Sequence, residues 1–151
     1  MKIYKSIVDN DMIKLFTDVK GTTLINHVSN SCSIEDVLAI SNLFNPEIII
    51  VEDCIFISEF YNNNIENLKE QFNDDRQQIE MFVNSWSLED FFLLSQNDTL
   101  AKKEVIKKFG DILKYFWRLR FNELFPNRQI VVRVDKEIMG ENGLTITVYQ
   151  V

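Results

Sequence analysis

Apolar residues along the chain follow two periods, and each predicts a different kind of element. From Leu100 to Leu124, Val105, Ile106, Phe109, Ile112, Leu113, Phe116, Trp117, Phe121 and Leu124 recur at three- and four-residue spacing, marking one broad face of a long helix. Pro126 stops it. Gly110 inside it costs up to about 1 kcal/mol relative to Ala, so close packing on a neighbour is the expected reason for its presence. Beyond the helix the period drops to two. "QIVVRVD" places Ile130, Val132 and Val134 on one face, and "LTITVYQ" alternates in the same way. A three-residue loop of Glu141, Asn142 and Gly143 would set Ile138 opposite Ile146 and Gly140 opposite Leu144. Even positions then share one face on both strands, with Lys136 the misfit. The two glycines of "GENG" do not read as a phosphate cradle, because a strand rather than a helix follows them.

Upstream, "EIIIVEDCIFISEF" has two short apolar runs around Glu52 and Asp53, a second hairpin expected to be more deeply buried and central in the sheet. Met12, Ile13, Leu15, Phe16 and Val19 suggest a short helix over 11–19. Ser33 with Asp36 forms a capping signature for a helix closed by Pro46. The asparagines at 62–64 are expected to cap a helix carrying Ile65, Leu68 and Phe72, and Asp74 the next, carrying Ile79, Phe82, Val83 and Trp86. Ser87 and Asp90 repeat the capping pattern before Phe91, Phe92 and Leu94, and the polar "SQNDT" leads into the long helix. The expected fold is α+β, a single globular domain over 1–151. A mostly antiparallel sheet from two hairpins (about 47–59 and 129–150) has one face covered by helices, including the long C-terminal one (about 100–124). Aromatic residues on that helix are assigned to the core.

Composition agrees with a folded domain. Hydrophobic residues make up 46% of the chain, with 12 Phe and 2 Trp, enough to exclude a disordered polymer. The N-terminal "MKIYKSIVDNDMIK" has no continuous apolar core of a signal peptide, and no apolar run is long enough to cross a bilayer. A soluble cytoplasmic protein without membrane association is expected. Charge changes the picture more. The total is −7, but residues 35–98 hold fourteen acidic and two basic residues, a net of −12, while residues 99–151 carry +4. The middle segment should repel nucleic acid and attract a cationic partner, unless the basic C-terminal part answers it within the molecule.

No residue set announces catalysis. His27 is the only histidine, and Ser29, Ser31 and Ser33 surround it in what reads as a polar loop without a nucleophile motif. Cys32 and Cys54, 22 residues apart, belong to no metal-ligand pair and read as reduced thiols; Asp53 beside Cys54 should raise its pKa. Neighbouring carboxylates such as Glu35 and Asp36 or Glu89 and Asp90 point apart on a helix, and Asp36 and Asp90 have capping work. No metal, no cofactor and no enzymatic activity are expected.

The acidic run itself carries the functional reading. Glu52, Asp53, Glu59, Tyr61, Glu66, Glu70, Asp74 and Asp75 are expected to form a negative patch with one aromatic anchor, able to steer a basic protein and occlude its binding groove. With "FVNSWSLEDFF" and the terminal "FWRLRFNELFPNRQIVVRVDKEIMGENGLTITVYQ", this small, acidic, cysteine-poor chain resembles immunity proteins of bacterial contact-dependent growth inhibition and related polymorphic toxin systems. The likeness implies a protein that binds and neutralises one cognate toxin domain, often a nuclease, in the bacterial cytoplasm, with no catalytic residues; a monomer is expected rather than a dimer. Two other classes stand beside it: a small hydrolase whose carboxylates converge in a deep pocket, and an adaptor self-associating through "LTITVYQV" as an edge strand.

Overall fold

The longest helix sets the frame. In the computed structural model, which describes residues 1–95 and 97–151, it spans Lys103–Leu124 and buries Ile106, Gly110, Leu113, Trp117 and Phe121 along a single seam. Its expected first residues form a separate 3-10 turn, Asp98–Ala101, capped by the Asn97 side chain; Gln96 of the polar link lies outside the described residues. Gly110 packs closely on its neighbours: a Cβ there would lie 2.9 Å from Leu88 Cδ1 and 3.1 Å from Val134 Cγ1. The close-packing expectation is met.

The structure is α+β, with antiparallel strands and helices α1 (Leu24–Ser31), α2 (Ile34–Phe44), α3 (Ile65–Phe72), α4 (Arg76–Val83) and α5 (Lys103–Leu124). The Ser33–Asp36 capping box opens α2 as expected. Helix α1 corrects the polar loop read around His27; Thr23 caps it, its side chain accepting from Asn26 N–H. The helix expected at 11–19 shortens to a 3-10 turn, Asn10–Leu15. Two ties draw the following chain straight: Lys102 Nζ donates to the Leu15 carbonyl, and Thr17 N–H donates to Thr99 Oγ1 at 3.1 Å. The helix expected over Phe91, Phe92 and Leu94 is only a 3-10 turn, Asp90–Phe92, with Asp90 N–H donating to Ser87 Oγ.

Strands β4 (Ile130–Lys136) and β5 (Leu144–Gln150) form the C-terminal hairpin, with Val132 opposite Val148 and Val134 opposite Ile146. The expected parity holds, since even positions on both strands pack against α5. Register differs: Ile146 faces Val134, not Ile138, and the loop runs from Glu137 to Gly143. Ile138 leaves the strand to become buried in a short 3-10 turn, which requires left-handed backbone at Glu137 and Met139. The odd face is closed as well. Thr145 and Thr147 are fully buried, and Thr147 Oγ1 donates to the Met81 carbonyl of α4, so the helices wrap the sheet rather than cover one face.

Strand β3 (Trp86–Ser87) pairs with β5, giving the order β3-β5-β4. The terminal strand is therefore interior to its sheet, which corrects the edge-strand expectation and removes the basis for self-association through it. β1 (Ile48–Val51) and β2 (Cys54–Ile57) form a separate two-stranded ladder, not the centre of one sheet. Side chains of α4 explain the break. Glu80 Oε1 accepts from Ile55 N–H at 2.8 Å and Glu80 Oε2 from Gln150 N–H at 2.6 Å. One turn on, Asn84 Oδ1 accepts from Ile57 N–H, and its amide donates to the carbonyls of Ile55 and Val148, all at 2.9 Å. Two side chains at i and i+4 thus occupy the gap between β2 and β5 and take the backbone groups that strand pairing would have satisfied. Among the described residues, no helix is long and apolar enough to cross a membrane.

Candidate partner-binding surface

The acidic surface begins at the tip of the β1–β2 hairpin. Val51 pairs with Cys54, so Glu52 and Asp53 form a two-residue turn, and both have positive φ, 49° and 69°. Such a turn ordinarily selects Asn-Gly, because left-handed backbone strains a residue with a Cβ. Neighbours hold it here. The Asp53 carboxylate lies 2.9 Å from Arg76 at the start of α4 and 2.9 Å from Arg128, just beyond α5. Its carbonyl accepts from Gln150 Nε2 at 2.9 Å. The hydrogen-bonded Arg76 guanidinium, and after it the Arg128 charge, hold the Asp53 carboxyl below the usual carboxylate range.

Helix α3 supplies the next part. Leu68 is buried while Ile65 and Phe72 are half-buried, which leaves Glu66 and Glu70 exposed. Lys69 reaches across to Glu52. That hydrogen bond first, and the charges of Glu66 and Asp74 after it, raise the Lys69 pKa. The chain then turns through left-handed Asn73 and Asp74, with Asp74 N–H donating to the Lys69 carbonyl at 2.9 Å. Asp75, not Asp74 as expected, caps α4 by accepting from Gln78 N–H at 3.1 Å. Asn64 occupies the capping position of α3 without a side-chain bond.

Six of the eight expected residues lie along the hairpin tip and the α3–α4 segment, Glu52, Asp53, Glu66, Glu70, Asp74 and Asp75, and among the described residues ion pairs tie in Glu52 and Asp53. Lys69, Arg76 and Arg128 lie among them, leaving a net charge of −3. The other two behave differently. Glu59 sits at the opposite end of β2, in the turn Ser58–Phe60. Tyr61 stacks on Phe56, ring centroids 4.8 Å apart and planes within 6°, and belongs to the small core beneath α3. It is half-buried and held in that stack rather than standing as a free anchor.

The remaining chemical candidates are tied into the fold. His27 Nδ1 accepts from Lys20 N–H at 3.1 Å, with Ser31 Oγ 3.4 Å from the same nitrogen, so a single lone pair is already engaged. Cys32 and Cys54 are free thiols; burial, and then the Glu80 charge more than that of Asp53, pushes the Cys54 thiol up to about 11. The carboxylates lining the groove between α5 and the β4–β5 hairpin, Glu89, Asp111 and Glu137, are interleaved with Lys103, Lys107, Lys114 and Lys136. Among the described residues no group of three or more His, Cys, Asp or Glu side chains is arranged to hold a metal ion. No protein-family model matches this chain, and comparison with curated proteins and with solved structures finds no match.

Proposed function

We propose that this chain is a binding inhibitor that presents the α3 surface to a cation-rich protein, in the manner of an immunity protein neutralising a toxin domain such as a nuclease. Occlusion is the mechanism. Carboxylates of Glu66, Glu70 and Asp74 pair with lysines and arginines around the partner's active site and exclude its anionic substrate. The observation that supports this most is that Glu66, Glu70 and Asp74 are exposed and form no ion pair among the described residues, while Lys69 is engaged by Glu52. Of the basic C-terminal segment, Arg128 is the residue that forms an ion pair with this surface; α5 spends Lys108 and Arg120 on pairs within itself, with Asp111 and Glu123. A strained, non-glycine tip at Glu52 and Asp53 also fits a surface selected for its charge rather than its stability.

The test is growth protection and pulldown against basic toxin domains encoded beside this chain. Glu66→Lys, Glu70→Lys and Asp74→Lys, combined, reverse exposed charges without touching the core. Protection and capture by the wild type, both lost in the triple variant and weakened by salt, support the proposal. Capture that survives the reversal rejects this surface.

A further inference from the structure

Beneath α2 the molecule keeps an open cleft of about 570 Å³, lined almost wholly by apolar side chains. Its wall is a chain of aromatic contacts. Phe60 meets Trp86 edge-on at 5.4 Å, Trp86 meets Phe91 edge-on at 4.5 Å, and Phe91 stacks on Phe109 at 6.0 Å. Trp117 also lines it, with its indole N–H already donating to the Leu43 carbonyl at 3.0 Å. Opposite lies α2, none of whose residues is buried. One charged residue borders the cleft: Glu59, which forms no ion pair among the described residues.

We infer that this cleft binds a small apolar cation, an amine or quaternary ammonium carried on a hydrocarbon or aromatic body. Interiors pack densely, and an opening of this size falls within the range that holds small ligands. Aromatic faces carry negative quadrupole potential and attract cations, and the free Glu59 carboxylate adds a full charge of the same sign at the rim. An anion of the same shape meets the rings and Glu59 together and is disfavoured. A neutral body gains the apolar contact alone. The "SWSLEDFF" stretch acquires a role here that the α3 surface does not use, since it supplies Trp86, Phe91 and Phe92. The cleft stands apart from that surface, and neither reading depends on the other.

Both tryptophans of the chain, Trp86 and Trp117, line the cleft, so tryptophan emission, excited selectively over the four tyrosines, reports its occupancy. The probes are octylammonium, octanoate and octanol, titrated against the full chain. Octylammonium is expected to give a saturable change, with octanoate weaker by about tenfold and octanol between them. Glu59→Gln is expected to narrow the gap between octylammonium and octanoate to about threefold, the part left to the aromatic faces, and Ala39→Phe, which fills the cleft from α2, to weaken all of them by about tenfold. Both substitutions fall at exposed positions, and an unchanged urea midpoint verifies the fold. Absence of a saturable response to octylammonium, equal binding of octanoate, a preference for ammonium left undiminished by Glu59→Gln, or a response indifferent to Ala39→Phe overturns the assignment.

Discussion

Glu80 and Gln150, seventy residues apart in the chain, meet through two hydrogen bonds, one from the Gln150 backbone N–H at 2.6 Å and one from its side-chain amide. The second oxygen of the same carboxylate role, Oε1, also accepts from Ile55 N–H, so one fully buried side chain joins the β1–β2 hairpin to the C-terminal strand. Asn84 repeats the connection one helical turn later. The fold depends on this side-chain seam as a sheet depends on its ladder.

Removing the seam should therefore cost far more than an average polar substitution. Glu80→Ala leaves the buried N–H groups of Ile55 and Gln150 without acceptors, an expected loss of about 3 kcal/mol, while Glu80→Gln, which keeps the shape and one acceptor, should lose about half as much. Asn84→Ala should resemble Glu80→Ala, and the double variant should lose less than the sum, because the first substitution already opens the gap. Urea unfolding midpoints measure all four. Single variants within about 0.5 kcal/mol of wild type would reduce the seam to decoration.

Gly110 offers a test with a change of sign. Gly110→Ala gains about 1 kcal/mol of helix propensity, but the new methyl meets Leu88 Cδ1 at 2.9 Å and Val134 Cγ1 at 3.1 Å. Leu88 is fully buried and has little room to yield, so overpacking wins and the net loss is about 1 kcal/mol. In a Leu88→Ala background the tighter obstruction is gone, and Val134 at 3.1 Å can move into the space that Leu88 leaves. There Gly110→Ala should stabilise, and thermal melts of the four proteins in the cycle decide it; a loss in both backgrounds would contradict the packing account.

Asp53 makes part of the stability depend on acid. Its carboxyl is held low by Arg76 first and Arg128 second, so its folded pKa lies below the unfolded value of about 3.9. The contribution is complete above that unfolded value and disappears as pH falls through the folded one. Asp53→Asn should thus be less stable than wild type at neutral pH, with the gap closing in acid. Urea titrations from neutral pH downwards check this, and a gap independent of pH would mean that the ion pairs contribute nothing.

Local chemistry was legible in the chain and distant pairing was not. The stripe from Ile106 to Phe121, the Ser33–Asp36 box and the even-position parity of β4 and β5 all follow from residues a few positions apart. Register failed because Ile138 has the right parity and hydrophobicity to continue β4, yet buries itself in a turn instead. Helix α1 was hidden by its composition, since serine and asparagine read as loop unless the Thr23 cap is weighted. The break between the two ladders could not be anticipated: Glu80 and Asn84 look like exposed helix positions until Ile55, Val148 and Gln150 arrive beside them. Of the acidic surface, the clustering of Glu66, Glu70, Asp74 and Asp75 followed from proximity in sequence. The guanidinium groups at Asp53 and the stacking of Tyr61 are tertiary facts.

The turn at Glu52 sets stability against surface charge. A Glu at φ 49° carries backbone strain of about 1 kcal/mol, which Asn tolerates far better at the first position of this turn. Its ion pair with Lys69 is partly exposed, and pairs of that kind contribute at most about 1 kcal/mol and often nothing measurable. Lys69 moreover keeps Glu66 and Asp74 as neighbours when Glu52 is replaced. Relief of strain should therefore win, and Glu52→Asn should gain about 0.5 kcal/mol, read as a rise of about 1–2 °C in Tm. The same change removes one carboxylate from the α3 surface, so affinity for a cation-rich partner should fall as stability rises. A variant that melts lower than wild type would show the Lys69 pair to outweigh the strain, and the hairpin tip would then be held for the fold rather than for binding.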